Sequence, residues 1–122
     1  MRVAVLGASD DPERYSYKAV LRLKEAGHTV YPVHPKLKTV DGEPVFSSLK
    51  DIPEPIHTLT LYVSGDISSK METEILASKP GRIIFNPGAE NAALMAKAAA
   101  QGIRTLEACT LVLLSTGQFD RA

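Results

Sequence analysis

Short apolar runs interrupt a polar chain at regular intervals: Val3–Leu6, Thr29–Val33, Leu59–Val63, Arg82–Phe85 and Thr105–Leu106. Four of them are nearly continuous and rich in β-branched or aromatic residues, as strands buried on both faces of a parallel sheet should be. Between the runs the apolar spacing becomes helical. Val20, Leu21 and Leu23 give a first helix its apolar side, with Ser16 as the expected N-cap and Gly27 as its stop. Ile67, Met71 and Ile75, four apart, mark a second helix that Asp66 or Ser68 would cap. The alanine-rich stretch Asn91–Gln101 turns Leu94, Met95 and Ala98 inward and ends at Gly102, while Leu111–Leu114 reads as a short helix covering the core. A Pro-rich stretch between the second and third strands contains VDGEPVF, a small hairpin around Asp41-Gly42.

The alternation predicts an α/β fold: a five-stranded, mostly parallel sheet with helices on both faces. Right-handed crossovers leave two strand orders open, the Rossmann-like 3-2-1-4-5 and the flavodoxin-like 2-1-3-4-5. With 122 residues and no linker or repeat, a single domain over residues 1–122 is expected.

Composition narrows the function classes. Lys plus Arg and Asp plus Glu number 14 each, so the basic excess of a nucleic-acid surface is absent. A small anion held by a local pocket is not excluded. Nothing approaches the about 20 apolar residues of a membrane span or the pattern of a signal peptide. Cys109 is the sole cysteine, so no internal disulfide forms and a reducing, cytoplasmic setting is expected.

In open α/β sheets ligands sit off the carboxyl ends of the strands. The loop after the first strand carries the most chemistry. Gly7 lets backbone approach a ligand, and the helix starting near Ser16 turns free N–H groups toward the loop. Ser9 and Ser16 add neutral donors, and Arg14 adds a bidentate cation, so a diphosphate fits. After the second strand, VHPK places His34 and Lys36 where an NAD-binding chain carries an acidic ribose partner. A cation there suits a ribose phosphate, as in coenzyme A or NADP. Gly7 is also alone, without the rest of a G-x-G-x-x-G, which weakens the case for a nicotinamide cofactor.

GASDDPERYSYKAV, YPVHPK, FNPGAEN and EACTLVLLSTGQF occur in that order across nearly the whole chain. Together they resemble the small stand-alone CoA-binding domain proteins, themselves similar to the CoA-binding domain of the succinyl-CoA synthetase α subunit. The resemblance implies a Rossmann-like fold with strand order 3-2-1-4-5 and CoA across the carboxyl edge. It implies that Gly7, Ala8 and Ser9 hold the diphosphate, with Arg14, Ser16 and Lys18 nearby. Val33, Pro35 and Lys36 would border the adenosine and its phosphate. Tyr62, Val63 and Ser64 would line the middle, and Asn86, Pro87 and Gly88 would meet the pantetheine arm. Two positions depart from the pattern: His34 replaces the usual asparagine, and Ala108 the arginine that often precedes the cysteine.

The expected function is non-catalytic binding of CoA or an acyl-CoA, a small-molecule ligand, with neither nucleic acid nor membrane as partner. No Ser-His-Asp order, metal-spaced cluster or carboxylate pair stands out, so no catalytic or metal-binding residue is assigned. Glu90 and Glu107 read as helix-start and strand-end charges. Cys109 reads as a small core residue, or alternatively as a thiol facing the end of a bound CoA. Two other functions stay open: an NADP- or other nucleotide-dependent enzyme, and a ligand-free interaction module. A homo-oligomer also stays open under the CoA-binding reading.

Overall fold

The computed structural model describes residues 1–122. Its main sheet contains β1 (Arg2–Leu6), β2 (Thr29–Val33), β5 (Thr58–Leu61), β6 (Arg82–Phe85) and β7 (Arg104–Glu107). Helices α1 (Tyr15–Glu25), α2 (Gly65–Lys70), α3 (Glu72–Ala77), α4 (Ala92–Ala100) and α5 (Thr110–Ser115) fill the crossovers and the carboxyl end. The small strands β3 (Thr39–Val40) and β4 (Glu43–Pro44) form the expected hairpin. Its two turn residues, Asp41 and Gly42, both have positive φ, 48° and 77°, as a type I′ turn requires. Lys24 of α1 pins that turn through Asp41 Oδ2 at 3.0 Å and Glu43 Oε1 at 3.2 Å.

All five strands of the main sheet are parallel, in the order β2-β1-β5-β6-β7. Outside β2 the chain adds one further parallel bridge, Val33 with Phe46. Phe46 N–H donates to Pro32 O, and His34 N–H to Phe46 O. With Phe46 counted as the third strand, the sheet has the Rossmann-like order 3-2-1-4-5 with one strand more. By the long strands alone it reads 2-1-3-4-5, because the Leu59 run lies inside, next to β1. Pro44 lacks an N–H to donate to a ladder, and the hairpin before Phe46 leaves little extended chain at this edge.

The continuous apolar runs divide by alternation. Ala4, Leu6, Tyr31, Val33, Leu59, Leu61, Ile83 and Phe85 face one core with Ile75, Leu94 and Ala98. Val3, Val5, Val30 and Ile84 face the other, with Val20, Leu23, Leu113 and Phe119. Each fully buried aliphatic side chain contributes about 1.5–3 kcal/mol, so these two layers dominate stability. Arg82 is buried at the amino end of its strand. Its Nε donates to Thr58 Oγ1 at 2.7 Å, and its guanidinium lies 4.4 Å from the Phe119 ring centre. Burial lowers its pKa, and Arg104 adds to that.

Several boundaries differ from expectation. Arg14, not Ser16, is the N-cap of α1; its backbone is extended and no side chain caps the helix. Ser16 lies in the first turn, buried. The cap of α2 is Ser64, whose hydroxyl accepts from Ile67 N–H at 3.4 Å, rather than Asp66 or Ser68. The third expected strand ends at Leu61, so Tyr62 and Val63 begin the loop. Asn91 caps α4 through Leu94 N–H at 3.0 Å.

Candidate functional site

The register aligns the strand ends in a single row. Leu6 is paired with both Val33 and Leu61, Leu61 with Phe85, and Phe85 with Glu107. Every loop that follows a strand therefore leaves from one edge. At that edge a cleft of about 770 Å³ opens beside β1, β2 and β5. The loop Gly7–Asp11, Arg14 and Ser16 form one end. His34, Pro35 and Leu37 form a wall, and Tyr62, Val63 and Ser64 the floor. Ile67 and Met71 of the α2 region, together with Ser47 and Glu74, complete the cleft.

The first loop divides its amides into two sets. Gly7 and Ala8 N–H both donate to Val33 O at 3.2 Å, so they join β1 to β2. The N–H groups of Ser9, Asp10, Tyr15, Ser16 and Tyr17 donate to no acceptor in the chain. Of these residues Ser9, Asp10, Tyr15 and Ser16 line the cleft, and an uncapped helix start beside free loop amides favours an anion there. Ser9 Oγ accepts from Asp11 N–H at 3.0 Å, which leaves its own proton free to donate. The Arg14 guanidinium has no carboxylate partner. Asp10, Asp11 and Glu74 also line the cleft, so oriented amides rather than net charge make the end anion-friendly.

Gly7 has φ +90°, and a Cβ there would lie 2.9 Å from Val63 Cγ1. Glycine is thus required by the contact between β1 and the loop after β5, whatever the cleft holds. His34 does what asparagine does in such turns. Its Nδ1 accepts from Lys36 N–H at 3.0 Å and Leu37 N–H at 3.2 Å. Two donors at one nitrogen assign the ring proton to Nε2.

Behind the floor is a closed polar knot. Asn86 Nδ2 donates to Thr60 Oγ1 at 2.7 Å and to Leu61 O at 2.8 Å, while its Oδ1 accepts from Thr110 N–H at 2.8 Å. Thr60 and Thr110 hydroxyls share a bond of 2.8 Å. The Tyr62 hydroxyl is buried near these two threonines without forming a hydrogen bond of adequate geometry. Burial pushes its pKa well above the ordinary tyrosine value, which the threonines only soften. Cys109, half-buried, occupies the N-cap position of α5 beside this knot and makes no side-chain capping bond.

Ten residues singled out from sequence line the cleft: Gly7, Ala8, Ser9, Arg14, Ser16, Val33, Pro35, Tyr62, Val63 and Ser64. Five do not. Lys18 is exposed on α1, its Nζ 5.5 Å from the Tyr15 ring centre. Lys36 is exposed on the rim beyond Pro35, and Pro87 and Gly88 are exposed after β6. Asn86 is enclosed in the knot. Ser47, Ile67, Met71 and Glu74 lack a sequence assignment to the site, although the i, i+4 pair Ile67 and Met71 was visible as an apolar stripe. Both side chains line the cleft, and Ile67 is 48% exposed.

Residues 1–115 match the family described as CoA binding domain. The chain belongs to that family. A 61-residue stretch is 36% identical to uncharacterized protein YneT of Bacillus subtilis, covering 50% of this chain and 45% of that protein. A 62-residue stretch is 37% identical to the α subunit of an ADP-forming acetate–CoA ligase II of Pyrococcus furiosus. It covers 50% of this chain and 14% of that subunit, so both curated relatives extend well beyond the aligned part. Among solved structures, one described as an uncharacterized protein is 38% identical, with TM-score 0.91 and 97% of both chains covered. A Thermus thermophilus protein is 28% identical, with TM-score 0.89 over 97% of this chain and 90% of that one. A dinucleotide-forming acetyl-coenzyme A synthetase of Ca. Korarchaeum cryptofilum shares the fold: TM-score 0.74 at 21% identity, over 88% of this chain and 25% of that one. CoA-binding domains of CoA ligase subunits are thus its relatives.

No helix is long and apolar enough to cross a membrane.

Proposed function

We propose that residues 1–122 act as one CoA-binding unit that holds coenzyme A or an acyl-CoA in this cleft without transforming it. The observation that carries the reading is the set of unbonded amides at Ser9, Asp10, Tyr15 and Ser16, with unpaired Arg14 beside them, in a member of the CoA-binding family. They suit the diphosphate, with Ser9 and Ser16 hydroxyls as further donors. Gly7 and Ala8 then shape the loop instead of donating to the ligand. Val33 and Pro35 border the adenosine, and Lys36 on the rim is within reach of its ribose phosphate. Lys18 adds only distant charge. The pantetheine arm leaves over Tyr62, Val63 and Ser64 toward the exposed Pro87 and Gly88. The free Cys109 suits a reducing cytoplasm.

Titration calorimetry with CoA, dephospho-CoA, NADP and NAD tests this. CoA should bind one per chain, and dephospho-CoA more weakly if Lys36 meets the phosphate. Arg14→Ala should weaken CoA about ten- to hundredfold, as expected for loss of a charged hydrogen bond of about 1.5–3 kcal/mol, with a smaller effect at high salt. Binding of NAD or NADP in preference to CoA would overturn the reading.

A further inference from the structure

Glu74 reaches the cleft from α3 and carries no ion pair. Its Oε2 is fixed by Leu49 N–H at 3.2 Å, while Oε1 has no partner in the chain. Lys50 and Lys70 border a separate groove of about 400 Å³ on its other side without pairing with it. Beside it, Ser47 Oγ donates its proton to Asp51 Oδ2 at 2.9 Å, so toward the cleft it can only accept. Glu74 and Ser47 both line the cleft, which therefore offers two acceptors. Its apolar walls are Pro35 and Leu37 from the chain after β2, Ile67 and Met71 from the helical layer. Apolar walls of this kind suit a flat ring, and an N–H donor on its edge would satisfy the acceptors.

We propose that Glu74 reads the exocyclic amino group of an adenine ring seated between Pro35–Leu37 and Ile67–Met71. The inference rests on the reading that the cleft takes CoA. On the reachable edge of adenine the amino group is the only donor; the ring nitrogens accept. The half-buried carboxylate is a strong acceptor for that group and repels a base edge that presents only acceptors. Glu74 is then a specificity residue, separate from the anion-binding amides at the other end.

The test compares CoA with an analogue carrying unsubstituted purine in place of adenine, which lacks the amino group and gains nothing. The parent protein should bind the analogue about tenfold or more weakly, the loss expected for a hydrogen bond to a charged acceptor. Glu74→Gln retains an acceptor for Leu49 N–H, so it should stay folded, yet it should discriminate much less between the two ligands. Equal binding of both by the parent overturns the proposal. So does equal weakening of both ligands in Glu74→Gln, which would put ribose hydroxyls against the carboxylate. Failure of CoA itself to bind the parent is a different result and refutes the underlying CoA reading.

Discussion

Replacing Asn86 by alanine separates a clamp from a ligand contact. The wild-type side chain is 1% exposed and joins three elements: β5 through Thr60 and Leu61, β6 through its own backbone, and α5 through Thr110. The truncation removes three hydrogen bonds; the two to Thr60 and Leu61 contribute about 1 kcal/mol net each. Two stranded partners retain another bond. Thr60 Oγ1 keeps Thr110 Oγ1, and Leu61 O keeps Asn86 N–H at 3.4 Å. Thr110 N–H keeps none, and a buried donor left unsatisfied costs about 1–3 kcal/mol. The total loss is about 3–5 kcal/mol, a large share of the about 5–15 kcal/mol that holds a chain of this size. In a thermal scan that is a fall of roughly 10–20 °C in Tm. Urea unfolding should show a lower midpoint at unchanged slope. Calorimetry at a temperature where both proteins are folded should then find CoA affinity little changed. Pro87→Ala, one residue on and exposed, serves as the control and should lie within about 0.5 kcal/mol of the parent. An Asn86→Ala protein of parental stability that has lost CoA would refute the clamp and return Asn86 to the pantetheine arm.

Gly7→Ala should destabilise by on the order of 1–3 kcal/mol even without ligand, because φ is +90° and the new Cβ would press on Val63; an unchanged Tm would refute this. Burial holds the pKa values of His28 and His57 below the usual histidine value, with Arg82 adding to the effect at His57. Their unfolded forms bind protons near pH 6.5 that the folded protein refuses, so stability should rise from about pH 5 to 7 and then level off. Substituting both histidines by glutamine should flatten that rise in urea titrations; an undiminished slope would exclude them as its source. Cys109 lies outside the cleft lining, so saturating CoA with mild oxidant should leave it free of a CoA adduct by intact mass; an adduct reversed by dithiothreitol would bring the thiol end of the ligand over α5.

The strands were legible because burial on both faces forces an uninterrupted apolar run, as in Val3–Leu6 and Arg82–Phe85. Even Arg82 could stand in such a run, because its charged end finds Thr58 and an aromatic face. The Asp41-Gly42 turn was legible because few residue pairs tolerate two successive positive φ values. Strand order was less so. It depends on which edge a strand joins, and the outer edge here is one bridge at Phe46, with too few residues to leave a periodic signal. Helix caps were misread for a related reason. Serine near a helix start is ambiguous until the backbone shows which residue is extended, and at α1 the extended residue is Arg14.

The first loop shows why the site was only partly legible. Gly7, Ala8 and Ser9 are consecutive in sequence, but their amides have different fates. Two close the turn onto Val33 O, and the third is left open toward the cleft. Composition cannot make that division, since a glycine needed for packing and one needed for ligand approach are the same residue. The far end was hidden more deeply. Glu74 stands 67 residues beyond Gly7 in the chain and enters the cleft only because α3 packs under the turn at Leu49, whose N–H its carboxylate accepts. One oxygen thus answers to the fold, and the other is left for a ligand. A residue with such a double role carries no local signature. Its two functions come apart only when a substitution keeps the first and removes the second, as glutamine does here.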